Sequence, residues 1–552
     1  MRGRCCLKIK LYALLFASSL SIASVSNAKD LPRITKTEAG GQLIVDGKPF
    51  LILGGELGNS SAGTAAQADT ILPRVAQLHV NTVLMPVAWE QFEPVEGQFD
   101  TSILDHWIDV ARQQHLHLVL LWFGSWKNAF SNYAPAWVKQ DTKRFPRAIS
   151  VDGTDTEILS TLAPETLKAD SRAFSHLMSH VRDKDAEQQT VLMVQVENEV
   201  GYLGRGRDRS AIANQQFQAA VPAVLLHQLQ ERPTALSPEL ASHFNPHGTS
   251  WKEVFGDAAD EVFMAWNYAK FIDQVTAAGK RSYALPMYVN AQLPAPAERA
   301  GEYPSGGPHP YYLEVYRAAA PSIDFYSPDI YWPNFEYWVQ RYKRVGNPVF
   351  IPEARIESSP FNAFYAYGEA GAFGFCPFGI DSIEIPADRA AARPAIEQTF
   401  AALNDLSEML VPAQASGKTR GLVLHADSPR ATQTVALGGY LFEATLSRSW
   451  PAKSLLTDDG AMTIIQSGPD EFYIAGRGLT LSFWRDPDVD SRLAGITTVE
   501  EVSKVNGKWE VARRLNGDQT NQGRNLSLPA TQVRIYRVAL YSTDRAVTDG
   551  KR

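Results

Sequence analysis

The stretch VLMVQVENE, residues Val191 to Glu199, is the most informative part of the sequence for the fold. Its first six residues are apolar except for Gln195, and they do not alternate with polar residues. A strand that is apolar on both faces is typical of a parallel sheet that is covered on both sides. The apolar run ends in acidic and amide side chains, which predicts that a buried strand meets a polar loop at this point.

Seven more runs of this kind lie on either side of the stretch, at Phe50–Gly55, Thr82–Ala88, Leu116–Phe123, Met287–Asn290, Asp324–Tyr331, Pro348–Pro352 and Ala372–Phe378. Amphipathic helical patterns separate most of them, for example Ser102–His115 and Ala173–Arg182. Eight such strand–helix units predict an α/β fold, a (β/α)8 TIM barrel. The alternative, an open doubly wound sheet, usually has fewer strands and a G-x-G-x-x-G first turn, which residues 54–59 lack.

The pattern changes near the predicted helix Ile396–Leu410. Residues 412–417 are predicted to be a linker. Beyond them the sequence consists of short alternating segments, and Asn506-Gly507 lies between two of these, which is a strong hairpin signal. We therefore predict two domains, a barrel over residues 29–411 and a β-sandwich over residues 418–552.

The first 28 residues have the three-part pattern of a secretory signal peptide. A basic start is followed by a short apolar run, and Ser26-Asn27-Ala28 supplies small residues for cleavage. An uncleaved anchor is the alternative. Export across an inner membrane is therefore predicted, with the periplasm as the expected location. Removal of this segment would leave Cys376 as the single cysteine, so no internal disulfide is expected.

The bulk composition excludes some classes of partner. The 552 residues carry a formal net charge of −7, which gives no reason to expect nucleic acid or an anionic membrane as a partner. A neutral sugar is compatible with this charge. The sequence contains no G-x-S-x-G elbow, P-loop or H-E-x-x-H motif, which argues against esterase, nucleotide-binding and zinc-peptidase functions. A homo-oligomer is compatible with the sequence, which leaves the oligomeric state open.

Two glutamates stand where apolar runs meet their loops. Glu199 ends the fourth run and Glu353 ends the seventh. Active sites of (β/α)8 barrels lie at the carboxyl ends of the strands, and strands four and seven face each other across the barrel mouth. A single glutamate at a strand end is as often a solvated surface residue. A pair in these positions predicts glycoside hydrolysis, which needs one carboxylic acid and one carboxylate flanking the anomeric carbon.

These residues resemble those of glycoside hydrolase family 35 β-galactosidases. The sequence Gln195-Val196-Glu197-Asn198-Glu199, followed by Gly201-Tyr202, is similar to the acid/base motif of that family. The segments Trp89–Pro94, Glu96-Gly97, Phe99-Asp100 and Pro135–Trp137 resemble other family segments. The resemblance covers roughly Leu51 to Asp381. It implies a retaining exo-β-galactosidase with Glu199 as acid/base and Glu353 as nucleophile, in a branch that acts on galactosyl side chains such as those of xyloglucan.

The chain also departs from the family pattern at two positions. Ser125 stands where family members usually have a galactose-contacting glutamate, and Met85-Pro86 stands where a tyrosine usually precedes the motif tryptophan. These departures indicate a divergent bacterial branch. Another retaining β-glycosidase of the same clan and a non-catalytic carbohydrate-binding protein are the alternatives. The retention of both glutamates argues against the binding protein.

Further residues at strand ends are predicted to bind substrate. They are Asn198 for the sugar 2-hydroxyl, Tyr331 as a partner of Glu353, Glu56 and Asn59 after the first run, and Trp126 and Trp332 as stacking platforms. A packed core aromatic is an equally good interpretation of Tyr331. No cluster of His, Cys, Asp and Glu with ligand spacing is visible in the sequence, so neither a metal nor a cofactor is expected.

The mechanism implied by the resemblance makes two physical demands. Glu199 has to be protonated near neutral pH, which requires a raised pKa. The two carboxyl groups have to be about 5 Å apart, because a retaining enzyme leaves no room for a water between carboxylate and sugar.

Overall fold

The computed structural model describes residues 30–37, 40–382, 387–428, 432–449, 452–456, 459–486 and 493–543. The predicted signal peptide, residues 1–28, lies outside these ranges. Among the helices that are described, none combines the length and apolar composition needed to cross a bilayer. The predicted limits of the two domains, 29–411 and 418–552, stay predictions.

The first part of the chain forms a closed parallel barrel and two small antiparallel sheets. Its strands are, in chain order, β1 (Arg33–Thr37), β2 (Gly40–Val45), β3 (Lys48–Phe50), β4 (Ile52–Glu56), β5 (Thr82–Ala88), β6 (His117–Lys127), β7 (Arg147–Ile149), β8 (Asp155–Leu159), β9 (Val191–Asn198), β10 (Met287–Gln292), β11 (Phe325–Ile330), β12 (Phe350–Ala354) and β13 (Gly374–Pro377). Eight of them close in the order β4-β5-β6-β9-β10-β11-β12-β13. The predicted (β/α)8 barrel is confirmed.

Helices connect the barrel strands and cover the outside of the barrel. They are α1 (Ala65–Ala76), α2 (Trp89–Phe92), α3 (Ser102–Gln113), α4 (Ala136–Gln140), α5 (Pro164–Asp185), α6 (Ala211–Gln218), α7 (Ala223–Glu231), α8 (Pro238–Ala241), α9 (Trp251–Phe255), α10 (Ala259–Ser282), α11 (Leu313–Ala319), α12 (Phe335–Tyr342), α13 (Ser359–Gly368) and α14 (Ala387–Ala415). In α3 the buried residues Leu104, Trp107 and Ala111 share one face, as the helical period requires. Short 3-10 helices span Pro233–Ala235, Gly256–Ala258, Ile380–Ser382 and Gly517–Thr520.

The interior of the barrel is packed, and the barrel is closed at the end formed by the amino ends of its strands. Large side chains from alternate strand positions, such as Phe123, Tyr288 and Phe325, fill the axis together with Leu43 and Val45 of β2. The small antiparallel sheet β1-β2-β3 therefore covers the amino ends of the barrel strands. Within the described barrel, the open end is the mouth formed by the carboxyl ends of the strands.

The second domain consists of two antiparallel sheets. Its strands are β14 (Thr419–His425), β15 (Thr432–Leu437), β16 (Tyr440–Leu446), β17 (Asp459–Gln466), β18 (Glu471–Arg477), β19 (Leu479–Arg485), β20 (Leu493–Val505), β21 (Lys508–Leu515), β22 (Asn525–Ser527) and β23 (Arg534–Thr543). The sheets have the orders β14-β17-β18-β23-β20-β21 and β15-β16-β19-β22 and share one apolar core, which confirms the predicted sandwich. Asn506 and Gly507 both have positive φ, 50° and 76°, and join β20 to β21 as predicted.

The linker predicted at residues 412–417 is wrong for most of its length, because α14 continues to Ala415. Pro412 lies inside this helix. A proline inside a helix removes one hydrogen bond and costs about 3 kcal/mol. Tertiary contacts offset this cost at the end of α14, where the Gln414 side chain donates to the carbonyl oxygens of Tyr367 and Ala372 at 2.8 and 3.1 Å. The sequence pattern contains no sign of these contacts.

One partly buried ion cluster joins the two domains. His425 of β14 contacts Asp459 Oδ2 through Nδ1 at 3.0 Å and Glu336 Oε1 of α12 through Nε2 at 3.2 Å. Hydrogen bonds to these two carboxylates, Asp459 first, raise the pKa of His425 to about 10. The protonated imidazolium therefore holds helix α12 of the barrel against the sandwich.

We expect His425→Gln to destabilise the protein by about 1 kcal/mol at about pH 6, measured by urea unfolding. The folded-state pKa lies above the ordinary value of 6.5, so this stabilisation is complete below about pH 6.5 and is lost as the pH rises through about 10. The two proteins are therefore expected to converge in unfolding midpoint towards pH 10. An equal difference at both ends of this range would show that packing, and not the charge, is responsible.

Candidate active site

The alternation of side chains along three barrel strands directs polar groups to the mouth. Residues two apart on a strand share a face. Glu56 lies four residues after the interior residue Ile52 on β4 and therefore shares its face. Asn290 lies two residues after the interior residue Tyr288, and Asp329 lies four residues after the interior residue Phe325. All three polar side chains are buried at the top of the barrel axis.

Glu353 reaches the mouth through an irregularity in β12. Phe350 packs in the barrel interior, whereas Ile351 and Ala354 pack on the outer side. Strict alternation would place residue 353 with Ile351 on the outer side. The register of β12 against β13 shifts between Ile351 and Ala354, and a bulge of this kind re-aims a side chain. Glu353 consequently lines the cavity at the barrel mouth.

Glu199 follows β9 directly and has a left-handed backbone, with φ of 44°. Such a conformation costs a residue with a side chain about 1–3 kcal/mol and is common at functional sites. Three contacts hold it. Its N–H donates to Asn290 Oδ1 at 3.0 Å, its carbonyl oxygen accepts from the N–H of Ala129 at 3.1 Å, and its carboxylate accepts from the Asn128 side chain. The side chain of Glu199 therefore has a fixed direction.

Glu199 and Glu353 face each other at short range. One carboxyl oxygen from each of Glu199, Asp329 and Glu353 lies within 4.8 Å of the others. Tyr331 Oη donates to Glu353 Oε2 at 2.7 Å, and the side-chain amides of Asn198 and Asn290 donate to Glu353 Oε1, each at 3.4 Å. Donors arranged in this way stabilise a carboxylate.

The carboxyl groups of the site differ in their affinity for protons. Burial, and then the charge of Glu353, raises the pKa of Glu199 to about 7. Burial and the neighbouring carboxylates, Glu353 foremost, raise the pKa of Asp329 and of Glu56 well above the ordinary range, and Lys127 opposes the effect at Glu56. Burial therefore favours the protonated forms of Asp329 and Glu56, while the pKa of about 7 lets Glu199 give up and regain a proton near neutral pH.

The structure brings most of the predicted site residues together. Glu199, Glu353, Tyr331, Trp332 and Asn59 line one cavity of about 420 Å³, together with Lys127, Asn128, Gln292, Leu293, Asp329 and Phe378. We call this the catalytic cavity.

Two other predicted site residues lie below the catalytic cavity. Asn198 is fully buried and bonded to Glu353. Glu56 is also fully buried, and neither of its carboxyl oxygens has a hydrogen-bond partner among the described residues. Asn198 therefore supports Glu353 from beneath, and Glu56 is part of the same floor of the cavity.

Trp126 does not reach the catalytic cavity, so the prediction that it is a stacking platform is wrong. The indole is fully buried, packs edge-on against Tyr268 and Phe271, and donates to the carbonyl oxygen of Leu159 at 3.2 Å. The physical reason is alternation, because Phe123 points into the barrel and a residue three positions later on the same strand points out. Lys127, one residue further, faces the cavity.

Five polar residues of the site were not predicted, namely Lys127, Asn128, Asn290, Gln292 and Asp329. For two of them a signal exists in the sequence. Asp329 is two residues before Tyr331, and Asn290 is two residues after Tyr288, so each occupies an inward position of an apolar run. Lys127 and Asn128 lie beyond the end predicted for the third run at Phe123, since β6 continues to Lys127.

Within the described part of the chain, Glu199, Asp329 and Glu353 are the group of side chains that could hold a metal ion. Hard cations such as Mg²⁺ and Ca²⁺ require ionised oxygen ligands, and their affinity falls when a carboxyl group keeps its proton. Burial and neighbouring charges raise the pKa of both Glu199 and Asp329, and the amino group of Lys127 lines the same cavity. These features favour proton chemistry at the site; the expectation of a metal-free site stays a prediction.

Two family models match the sequence. Residues 61–231 match the glycoside hydrolase family 42 model, described as beta-galactosidase. This segment runs from the first barrel loop to α7 and includes Glu199, and Glu353 lies outside it. Residues 396–527 match a domain of unknown function, DUF5597. The assignment to family 35 stays a prediction.

Several solved structures resemble this one at low sequence identity. The β-galactosidase from Bacillus circulans sp. alkalophilus has a TM-score of 0.46 and 10% identity, over 89% of this chain and 99% of that chain. The β-galactosidase from the psychrophilic Marinomonas ef1 has a TM-score of 0.42 and 11% identity, over 65% of this chain and 61% of that chain. The β-mannanase from the blue mussel Mytilus edulis has a TM-score of 0.41 and 12% identity, over 67% of this chain and 97% of that chain.

A search of the curated proteins found no match. The similarity that bears on function is therefore the match of residues 61–231 to the family model, and this segment includes β9 and Glu199. Over residues 61–231 the barrel is thus similar to glycoside hydrolases of the β-galactosidase type.

Proposed function

We propose that the protein is a retaining exo-β-galactosidase that removes terminal β-galactosyl residues from oligosaccharides. The observation that carries the proposal is the pair Glu199 and Glu353, on facing strands, with carboxyl oxygens within 4.8 Å of each other. A separation of about 5 Å is characteristic of retaining glycosidases, whereas inverting enzymes need roughly 6.5–9.5 Å to admit a water. The family model over residues 61–231 supports the choice of galactose.

The first step of the proposed reaction forms a covalent intermediate. A Glu353 carboxylate oxygen attacks the anomeric carbon of the galactosyl residue, and the bond from that carbon to the aglycone oxygen breaks. Glu199, whose pKa of about 7 keeps it largely protonated below that pH, transfers its proton to the departing oxygen. Tyr331 Oη, at 2.7 Å from Glu353 Oε2, orients the nucleophile.

The second step releases galactose. Glu199, now ionised, takes a proton from a water molecule, and the water oxygen attacks the anomeric carbon while the ester bond to Glu353 breaks. Glu199 is then protonated again and Glu353 is again a carboxylate, so the cycle is closed. We propose Asn198, which donates to Glu353 at the floor of the cavity, as the partner of the sugar 2-hydroxyl, a contact that strengthens in the transition state.

The shape of the barrel supports removal of terminal residues. The catalytic cavity has the packed barrel interior as its floor, including the buried side chains of Glu56 and Tyr288. A chain therefore cannot thread through the barrel, and a terminal galactosyl residue can occupy the cavity from the mouth. We propose galactosyl side chains of xyloglucan as the substrate, membership of family 35, and export to the periplasm, on the resemblance and the leader pattern given above.

The test is a panel of nitrophenyl β-galactoside, β-glucoside, β-mannoside and α-arabinoside combined with proton NMR of the first product. We expect the β-galactoside to have the highest kcat/KM and the first-formed galactose to be the β anomer, because two displacements at one carbon restore its configuration. If another glycoside is preferred, the sugar assignment is wrong. Initial release of the α anomer would mean that Glu353 acts through water, and the double displacement would have to be abandoned.

A further inference from the structure

A second cavity lies beside the catalytic cavity and shares a wall with it. Its volume is about 460 Å³, and its lining is Pro294–Glu298, Tyr303, Tyr311, Trp332, Asn334, Tyr337 and Trp338. Trp332 lines both cavities, and Leu293 of the catalytic cavity is followed in sequence by Pro294 of the second. The Trp332 indole N–H donates to the carbonyl oxygen of Leu293 at 3.2 Å, which fixes this shared wall.

The lining of the second cavity is rich in aromatic rings. Tyr337 is 48% exposed although it belongs to α12, whose neighbours Phe335 and Trp338 are buried. Its hydroxyl is held by Arg341, and the Tyr303 hydroxyl donates to Glu261 at 2.8 Å, so both phenol groups are fixed by other residues of the protein. Fixed aromatic faces with polar groups nearby suit a pyranose ring, which presents C–H groups on its faces and hydroxyls at its edge.

One buried donor in this cavity has no partner. Trp338 is 5% exposed and its indole nitrogen has no hydrogen-bond acceptor among the described residues. Buried donors in proteins are nearly always satisfied, so an exception calls for an explanation such as a ligand. Glu298 is the one acidic side chain of the lining and no basic side chain lines it, which disfavours an anionic ligand. A neutral acceptor such as a sugar hydroxyl meets both conditions.

We propose that this second cavity, the aglycone cavity, binds the second and third sugar units of an oligosaccharide whose terminal β-galactosyl residue occupies the catalytic cavity. The inference rests on the proposed function. The shared Trp332 wall makes the two cavities adjacent, so one oligosaccharide can extend from the catalytic cavity into the aglycone cavity. The true substrates are then oligosaccharides of three or more units. Binding energy from the remote units contributes to the rate at the reacting bond.

The test measures kcat/KM for nitrophenyl β-galactoside and for galactosyl oligosaccharides with one, two or three further sugar units, in β-1,2, β-1,3, β-1,4 and β-1,6 linkage. With the best linkage we expect kcat/KM to rise at least about tenfold from one further unit to two or three. Tyr337→Ala and Trp338→Phe are expected to reduce the ratio of oligosaccharide to nitrophenyl kcat/KM about tenfold and about fivefold, because they remove a ring face and an N–H respectively. Trp338→Phe keeps the buried ring and so guards against loss of folding.

The matched control is Tyr541→Ala. Tyr541 is 44% exposed and lies on β23 of the sandwich, so its removal is expected to change neither activity. A series without dependence on length, or a Tyr337→Ala ratio equal to that of the wild type, would overturn the aglycone cavity while the nitrophenyl activity still upheld the proposed function. A wild-type protein that hydrolyses no β-galactoside would instead refute the proposed function, and both proposals would fall together.

Discussion

Replacement of Glu353 by alanine is expected to lower kcat/KM for nitrophenyl β-galactoside by about 10⁵-fold, because the covalent route loses its nucleophile. The backbone of Glu353 pairs with β11 opposite Asp329, and this pairing is independent of the side chain. Removal of the carboxylate also relieves repulsion, since its charge contributes to the raised pKa of Glu56 and of Asp329. We therefore expect the variant to fold, as judged by an unfolding midpoint at or above that of the wild type.

Azide distinguishes the loss of a nucleophile from a general loss of activity. In Glu353→Ala the space of the missing carboxylate opens on the face of the sugar that Glu353 attacks. Azide entering there would form α-galactosyl azide and restore turnover of an activated substrate, detectable by NMR. Glu357→Ala is the control, because Glu357 lies four residues later and pairs with the exposed Arg355 at 3.4 Å. The assignment of Glu353 is wrong if the variant keeps activity within about tenfold of the wild type.

The barrel could be predicted from the sequence because parallel strands buried on both faces leave uninterrupted apolar runs. The run 191–196 and its seven counterparts supply this signal directly. The positions of Glu199 and Glu353 followed from the same argument, since a residue that ends such a run lies at the barrel mouth. These two conclusions depend on local patterns alone.

The errors concern features that no local pattern encodes. Trp126 was placed in the site because β6 was expected to end at Phe123, and the strand is four residues longer. The bulge in β12 that turns Glu353 inward is a matter of pairing with β13, which the sequence of β12 does not reveal. The linker predicted at residues 412–417 is wrong up to Ala415, because contacts of Gln414 with the barrel keep α14 intact. Distant partners decide each of these cases.

The contact between the domains links the sandwich to the proposed substrate specificity. His425 of the sandwich holds Glu336, and Tyr337 and Trp338 of the aglycone cavity follow Glu336 in α12. The sandwich thus supports one wall of the cavity without lining it. This gives a physical reason for the two domains to occur together, since the position of α12 depends on both.

Glu199→Gln is expected to lower kcat/KM for galactosyl oligosaccharides by about 10³–10⁴-fold, because a sugar leaving group needs a proton. Dinitrophenyl β-galactoside, whose leaving group departs as an anion, is expected to lose less than about tenfold in kcat/KM, since this parameter reports the first step. Both substrates are measured with the same variant, and a folding defect would lower kcat/KM equally for both. A difference between them therefore cannot come from folding. Equal losses on both would show that Glu199 does not act as the proton donor.

The pH dependence gives a second test of the same group. Glu199 has to be protonated for the first step, and burial raises its pKa to about 7, so kcat/KM of the wild type is expected to fall as the pH rises through about 7. Glutamine does not titrate, and Glu199→Gln should therefore lose this alkaline fall. A fall that persists in the variant would mean that another group supplies the proton.

Asp329 is the group that such a result would indicate, because it is buried, has a raised pKa and lies within 4.8 Å of Glu353. Its geometry argues for a supporting role. Asp329 Oδ2 accepts a bond from Asn290 Nδ2 at 2.6 Å, and Asn290 in turn fixes the backbone of Glu199 and donates to Glu353. Asp329→Asn is therefore expected to leave the alkaline fall in place and to shift it to higher pH, since the hydrogen bond from Asp329 lowers the pKa of Glu199 and the variant lacks that carboxyl group. A variant Asp329→Asn without any alkaline fall would transfer the acid/base role from Glu199 to Asp329.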